Sequence, residues 1–264
     1  MLKAEDLFIT FNAGTPIENR ALRGLSLEIP SGQFITVIGS NGAGKSTLLN
    51  AISGDQAIDR GKILIDEVDV TRAPVWERAS RVARVFQDPM AGTCEDLTIE
   101  ENMSLAVSRG ASRGLTPAVR KVHRDRFREA LATLGLGLEN RLTDRIGLLS
   151  GVQRQAVSLL MATLQPSRIL LLDEHTAALD PRTAQFVLDL TRNIVREHKL
   201  TTLMVTHSMR QALDVGDRTI MLHQGNIVLD VSGAERNGMD VQGLLAMFER
   251  VRGETVSDDA LLLG

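Results

Sequence analysis

Four short runs of the chain are apolar without polar alternation: Phe34-Ile35-Thr36-Val37-Ile38, Val82-Ala83-Arg84-Val85-Phe86, Ile169-Leu170-Leu171-Leu172 and Thr202-Leu203-Met204-Val205. Such runs suit strands covered on both faces, as the central strands of a parallel sheet are. The stretches between them read as helices, and strand alternating with helix is the pattern of an α/β fold. Three earlier segments, Leu2–Phe11, Leu22–Ile29 and Lys62–Asp66, look more two-sided and predict a smaller antiparallel sheet. Residues 92 to 150 carry no convincing strand and read as helical. Beyond His207 the pattern predicts a helix, strands at Thr219–Leu222 and Ile227–Val231, and a short helix near Val241–Val251. Ser257–Gly264 read as a loose tail.

Composition narrows the class without changing that picture. The 264 residues are 43% hydrophobic and 24% charged, ordinary for a globular chain. A net charge of −3 gives no global reason to expect a nucleic-acid partner, which draws on a basic surplus. One cysteine, Cys94, rules out an internal disulfide and suits a reducing compartment. The charged start, with Lys3, Glu5 and Asp6, does not read as a signal peptide. No apolar run approaches the ~18 residues needed to cross a bilayer, so any link to a membrane is expected through a partner.

The chemistry begins where the first apolar run ends. Gly39-Ser40-Asn41-Gly42-Ala43-Gly44-Lys45-Ser46 has the spacing of a phosphate-binding loop, with a helix expected from Ser46 to Ser53. Glycines let backbone amides approach a polyphosphate, and the helix start adds a favourable field. Lys45 is placed to bridge the β- and γ-phosphates and the Ser46 hydroxyl to hold Mg2+, with Thr47 next along the helix. The third run ends in Asp173-Glu174, at the same sheet edge. Asp173 suits Mg2+ and Glu174 a general base toward water. Acidic residues at strand ends often serve as helix caps, but Asp180-Pro181 supplies a separate start signal for the next helix. Gln87 and His207, past the second and fourth runs, join this edge as sensors of the γ-phosphate or the metal.

Leu149-Ser150-Gly151-Val152-Gln153-Arg154-Gln155 resembles the Leu-Ser-Gly-Gly-Gln signature of ABC ATPases. With it, residues 2 to 235 fall into that family's motif order: phosphate loop, glutamine loop at Gln87, signature, acidic pair, a D-loop at Ala177-Ala178-Leu179-Asp180, and a switch at His207. The resemblance implies a phosphate-loop NTPase (RecA-like) core with a small antiparallel β subdomain and an inserted α-helical subdomain. Within a single domain of 1–264, residues 1–91 and 156–235 are expected to form the core with its N-terminal β subdomain. Residues 92–155 would carry the helical subdomain and signature, and 236–264 a C-terminal helix and tail. It also implies a head-to-tail dimer that sandwiches ATP between one chain's phosphate loop and the other's Ser150, Gly151 and Gln153. Ser150 and Gln153 stand in capping-box spacing, which makes the signature a second helix start seeking an anion. The family places an aromatic ring against adenine. The chain has no tyrosine, and Phe11 is the best-placed candidate, with Phe8 the alternative that the pattern assigns to the core.

Two positions depart from the family. Val152 replaces the second signature glycine and would stand near the partner's γ-phosphate; His175 replaces a common proline and reads as a subgroup marker. Arg113, Arg120, Lys121, Arg124, Arg126 and Arg128 make the stretch from Arg109 to Arg128 basic. A solvated helix face is its default reading, and attraction to a membrane or an acidic permease loop the functional one. A shallow surface near Asp88, Pro89, Met90 and Thr93 is where the family receives a permease helix. The motifs look like those of bacterial importer ATPases served by a separate binding protein, at the cytoplasmic face of the membrane, with a lean toward amino acids as cargo. The competing reading is a soluble ABC ATPase such as that of iron–sulfur cluster assembly.

Overall fold

Two sheets close on one apolar layer. The structure, a computed structural model, describes residues 1–110, 119 and 121–252. Numbered along the chain, β1 (Leu2–Phe11), β2 (Asn19–Ile29), β4 (Arg60–Ile65) and β5 (Val68–Asp69) form an antiparallel sheet in the order β2-β1-β4-β5. A second sheet has the order β10-β9-β3-β8-β7-β6. Its strands are β3 (Phe34–Ile38), β6 (Val82–Val85), β7 (Ile169–Asp173), β8 (Thr201–Val205), β9 (Arg218–His223) and β10 (Asn226–Ser232). All pair parallel except β10, which runs antiparallel to β9. Every residue of β3, β7 and β8 is buried, as their unbroken apolar runs require. β1 instead buries alternate residues toward the larger sheet, Leu2, Ala4, Leu7 and Ile9.

The helices are α1 (Lys45–Ser53), α2 (Val75–Arg78), α3 (Ile99–Val107), α4 (Lys121–Ala132), α5 (Gly151–Thr163), α6 (Pro181–His198), α7 (Met209–Val215), α8 (Gly233–Asn237) and α9 (Val241–Arg252). Helix α1 lies in the layer between the sheets, where Leu48 and Leu49 meet Ile9, Ile35 and Leu171. A second apolar cluster joins α3, α4 and α5 through Met103, Phe127, Leu131 and Leu160. A third packs α5 and α6 on the other face of the large sheet, and a fourth packs α7 and α9 against β9 and β10. Helix α5 serves two clusters at once, so its residues from Gln155 to Ala162 are all buried.

The predicted strands are present with ends shifted by a few residues, and the α/β class holds. Strand β5 and the short helices α2 and α8 were not expected. The two residues of β5 are exposed and pair with Leu64 and Ile65 through the backbone, so no apolar pattern marks them. The basic stretch is in part the solvated face expected of it, with Arg126 and Arg128 exposed, and in part a set of structural anchors. Arg124 grips the buried Glu100 with two bonds of 2.6 and 2.8 Å, Arg126 donates to the Leu164 carbonyl, and Arg109 donates to the carbonyls of Ala162 and Gln165. These three brace α3 and the end of α5, and Arg128 pairs with Asp125 at the surface. Arg113, Arg120 and the tail Ser257–Gly264 lie outside the described residues.

Candidate active site

The loop after β3 turns into α1 through Gly39, Ser40, Asn41, Gly42, Ala43 and Gly44. Two glycines are obligatory. Gly39 has φ +149° and Gly44 φ +104°; a Cβ on Gly39 would run into the Leu222 carbonyl, and one on Gly44 would lie 2.6 Å from the Ala21 carbonyl. Ala43 is pinned at both ends, its N–H on the Ser40 carbonyl and its own carbonyl accepting from Gly225. Gly44 caps α1 without any side-chain hydrogen bond, so the amides of the first turn are left for an anion. Lys45 is buried and donates to the carbonyls of Gly39 (2.7 Å) and Ser40 (3.2 Å). Burial draws its pKa below the ordinary lysine range, against the raising pull of Glu174 and Asp173. Ser46 is exposed and Thr47 half-buried on the same first turn.

The carboxyl ends of four parallel strands converge here. Asp173 closes β7, Glu174 follows it, and His207 lies two residues past β8; Gln87, two past β6, is exposed at the same edge. Glu174 Oε1 and His207 Nε2 are 2.6 Å apart. Glu174 holds φ +44°, an uncommon conformation for a residue with a Cβ, fixed by its N–H on the Val205 carbonyl. Asp180 caps α6, its carboxylate accepting from the Thr183 N–H. The Thr183 side chain first, and then its backbone, keep that carboxyl below its usual pKa range. Asp173 and Glu174 are therefore not consumed as caps.

The signature has the expected helix start. Ser150 Oγ accepts from Gln153 N–H, and Gln153 Oε1 accepts from Ser150 N–H. Ser150 and Gly151 are exposed, and Val152 is half-buried in the first turn of α5. A Cβ on Gly151 would reach 4.0 Å from Leu179 Cδ2, which sets the signature beside the D-loop of the same chain. Of the two aromatic candidates, Phe11 is the one packed against the main core, at the end of β1. Phe8, expected in the core, is half-buried instead, with the Arg60 guanidinium 5.0 Å from its ring centre.

Two site features escaped the sequence reading. Arg84, within an apolar run, donates to Asp173 Oδ2 at 2.7 Å. A lone charge in a doubly covered strand was the available signal, since such a group must find a partner. Gln211 of α7 accepts hydrogen bonds from Thr176 and Thr206, tying the segments after Glu174 and before His207 together. As for a metal, no cluster of three or more His, Cys, Asp or Glu able to hold one occurs among the described residues. The Ser46 hydroxyl and Asp173 carboxylate are hard oxygen donors, too few for a resident ion yet suited to Mg2+ arriving with nucleotide phosphates.

Comparison with known proteins gives the family. Residues 22–177 match the ABC transporter family. The "tyrosine transport ATP-binding protein" of Clostridioides difficile is 44% identical over 250 residues, covering 94% of this chain and 99% of the relative. A "thiamine import ATP-binding protein ThiQ" from Chelativorans is 36% identical, covering 86% and 87%. Among solved structures, a dimeric ATP-binding cassette in a post-hydrolysis state bound to ADP and Pi is 28% identical, with TM-score 0.76 over 88% of this chain and 98% of that one. The chain belongs to the ABC transporter family and is an ATP-binding, ATP-hydrolysing cassette.

Proposed function

We propose that the chain powers uptake of an amino acid through a separate membrane permease, as one half of a head-to-tail dimer at the cytoplasmic face. The observation that carries this reading is the 44% identity, end to end, with the tyrosine transport ATP-binding protein. No helix among the described residues is long and apolar enough to cross a membrane, which calls for a permease partner. A groove lined by Trp76, Phe86, Thr93 and Cys94 offers it a seat, and Trp76 is 74% exposed there. The transport and import names of the relatives, rather than the groove, favour a transporter over a soluble assembly ATPase. An extracytoplasmic solute-binding protein would deliver the cargo.

In the mechanism, the loop amides and Lys45 hold the phosphates, and the part of the half-buried Phe11 ring that does not pack against the core would meet adenine. Bound Mg2+, on Ser46, Asp173 and, as the site closes, Gln87, would neutralise charge on the phosphate oxygens. Glu174 takes the proton of the attacking water, and His207, on Glu174 Oε1, keeps that carboxylate aimed and senses the γ-phosphate. Ser150, Gly151 and Gln153 of one copy, with Asp180 nearby, complete the other copy's site.

Deleting the gene and supplying it back as wild type or Glu174→Gln tests this. Uptake of labelled tyrosine or another amino acid should vanish, return with wild type, and stay absent with Glu174→Gln. The purified variant should bind ATP yet turn over at least ~100-fold more slowly. Amino-acid uptake indifferent to the deletion would refute the cargo class.

A further inference from the structure

Arg84 is a charged side chain in the middle of β6, 12% exposed, with each end of its guanidinium on a different element. Nη2 donates to Asp173 Oδ2 (2.7 Å) at the end of β7. Nη1 donates to Asn50 Oδ1 (2.7 Å) in α1 and to Asp55 Oδ2 (3.0 Å) just beyond it. Asp55 is itself held by the Ser53 hydroxyl at 2.6 Å. The guanidinium carbon lies 4.7 Å from the centre of the Phe86 ring, which covers one face. Nε is buried with no hydrogen-bond partner. A strand interior gives up an apolar position and tolerates that unmet donor, and the arrangement it supports ends on one carboxylate oxygen of Asp173.

We propose that Arg84 is a positioning residue for the metal-binding carboxylate. It fixes Asp173 through Oδ2 so that Oδ1 is turned to Mg2+ entering with ATP. The proposal rests on the reading of Asp173 as the metal carboxylate. A carboxylate on a single strand-end residue can swing about two bonds, and a planar fork anchored at its far side removes that freedom. Partners that orient a metal ligand without touching the metal are typically worth 10–100-fold in metal affinity. Arg84 and Asp55 also line the groove beside Phe86, so a body seated there presses on the same guanidinium that orients Asp173.

The test compares binding of a fluorescent ATP analogue with Mg2+ and with EDTA, reading the ratio of the two dissociation constants. In Arg84→Met the benefit of Mg2+ should fall about tenfold, with the EDTA constant moving less than about twofold as a sign that the phosphate loop is intact. Arg84→Lys, which keeps the charge without the fork, should fall between Met and wild type. Should Arg84→Met fail to fold, Asp55→Asn, which loosens the outer anchor, decides with a smaller fall in the same direction. An unchanged benefit overturns the proposal. So does an increased one, which would make the guanidinium a rival of Mg2+ for Asp173. Asp173→Asn separates the two readings. If it leaves the Mg2+ benefit intact, the metal assignment itself is wrong; if it removes the benefit while Arg84→Met does not, only the role of Arg84 is.

Discussion

His175 is fully enclosed, and its Nε2 lies 3.0 Å from Thr191 Oγ1. The Thr191 hydroxyl already donates to the Val187 carbonyl, so it accepts from His175, which is neutral with its proton on Nε2. Burial holds its pKa at about 4 against an ordinary 6.5. Below pH 6.5 the unfolded chain therefore takes up a proton that the folded chain refuses, until about pH 4. Stability should fall through that window by up to about 1.4 kcal/mol per pH unit on account of this residue. Urea midpoints at pH 7 and pH 5 should draw closer in His175→Leu than in wild type, and an equal gap would show that His175 does not titrate this way. Val152 is the other departure from the family. Its side chain stands in the first turn of α5, beside the exposed Ser150 and Gly151. Glycine there should allow closer approach to a phosphate and raise ATP turnover severalfold in the assembled transporter, since a displacement of ~1 Å can cost ~100-fold when positioning carries the rate. An unchanged or lower rate would mean that the chain has packed around valine.

Helices α3, α4 and α5 share a core separate from the one behind the phosphate loop. Phe127 is its largest side chain, 1% exposed. Phe127→Ala should cost about 3–5 kcal/mol, seen as faster hydrogen exchange in these helices, while nucleotide binding at the phosphate loop persists. Equal loosening of both regions would show one cooperative unit. The elements themselves were differently legible in sequence. Strands β3, β7 and β8 could be read because residues covered on both faces must be apolar, and α6 because Asp180-Pro181 announces its start. The capping box at Ser150 was readable for the same local reason. The partners of Arg124 and Arg126 were not legible because a sequence displays charge without its partner, and theirs are Glu100, 24 positions away, and the Leu164 carbonyl, 38 away. Arg84 was hidden likewise, its partner Asp173 lying 89 positions along the chain. Phe8 failed through geometry: β1 changes register between Ala4 and Leu7 and again between Leu7 and Phe8, and alternation no longer tells which side faces inward.

Across the whole molecule, the phosphate loop and the signature are two helix starts, one without a side-chain cap and one exposed, that suit the same kind of ligand. If each ATP needs one from either copy, a lone chain lacks a complete site. Specific ATPase activity of the purified chain should therefore rise steeply with its concentration and level off once dimers dominate. A constant specific activity from a demonstrated monomer would contradict the shared site.

The phosphate loop is also held from outside the nucleotide site. The Ala21 carbonyl of β2 and the Leu222 carbonyl of β9 occupy the space that a Cβ on Gly44 or Gly39 would need, and Gly225 donates to the Ala43 carbonyl from the hairpin between β9 and β10. The loop consequently has its binding shape before ATP arrives, and little chain freedom remains to be lost when it does. Arrival rates of ATP and ADP should then be alike, set by diffusion and orientation. Any preference between fuel and spent product should then lie in how long each stays, which stopped-flow release of fluorescent ATP and ADP analogues would read.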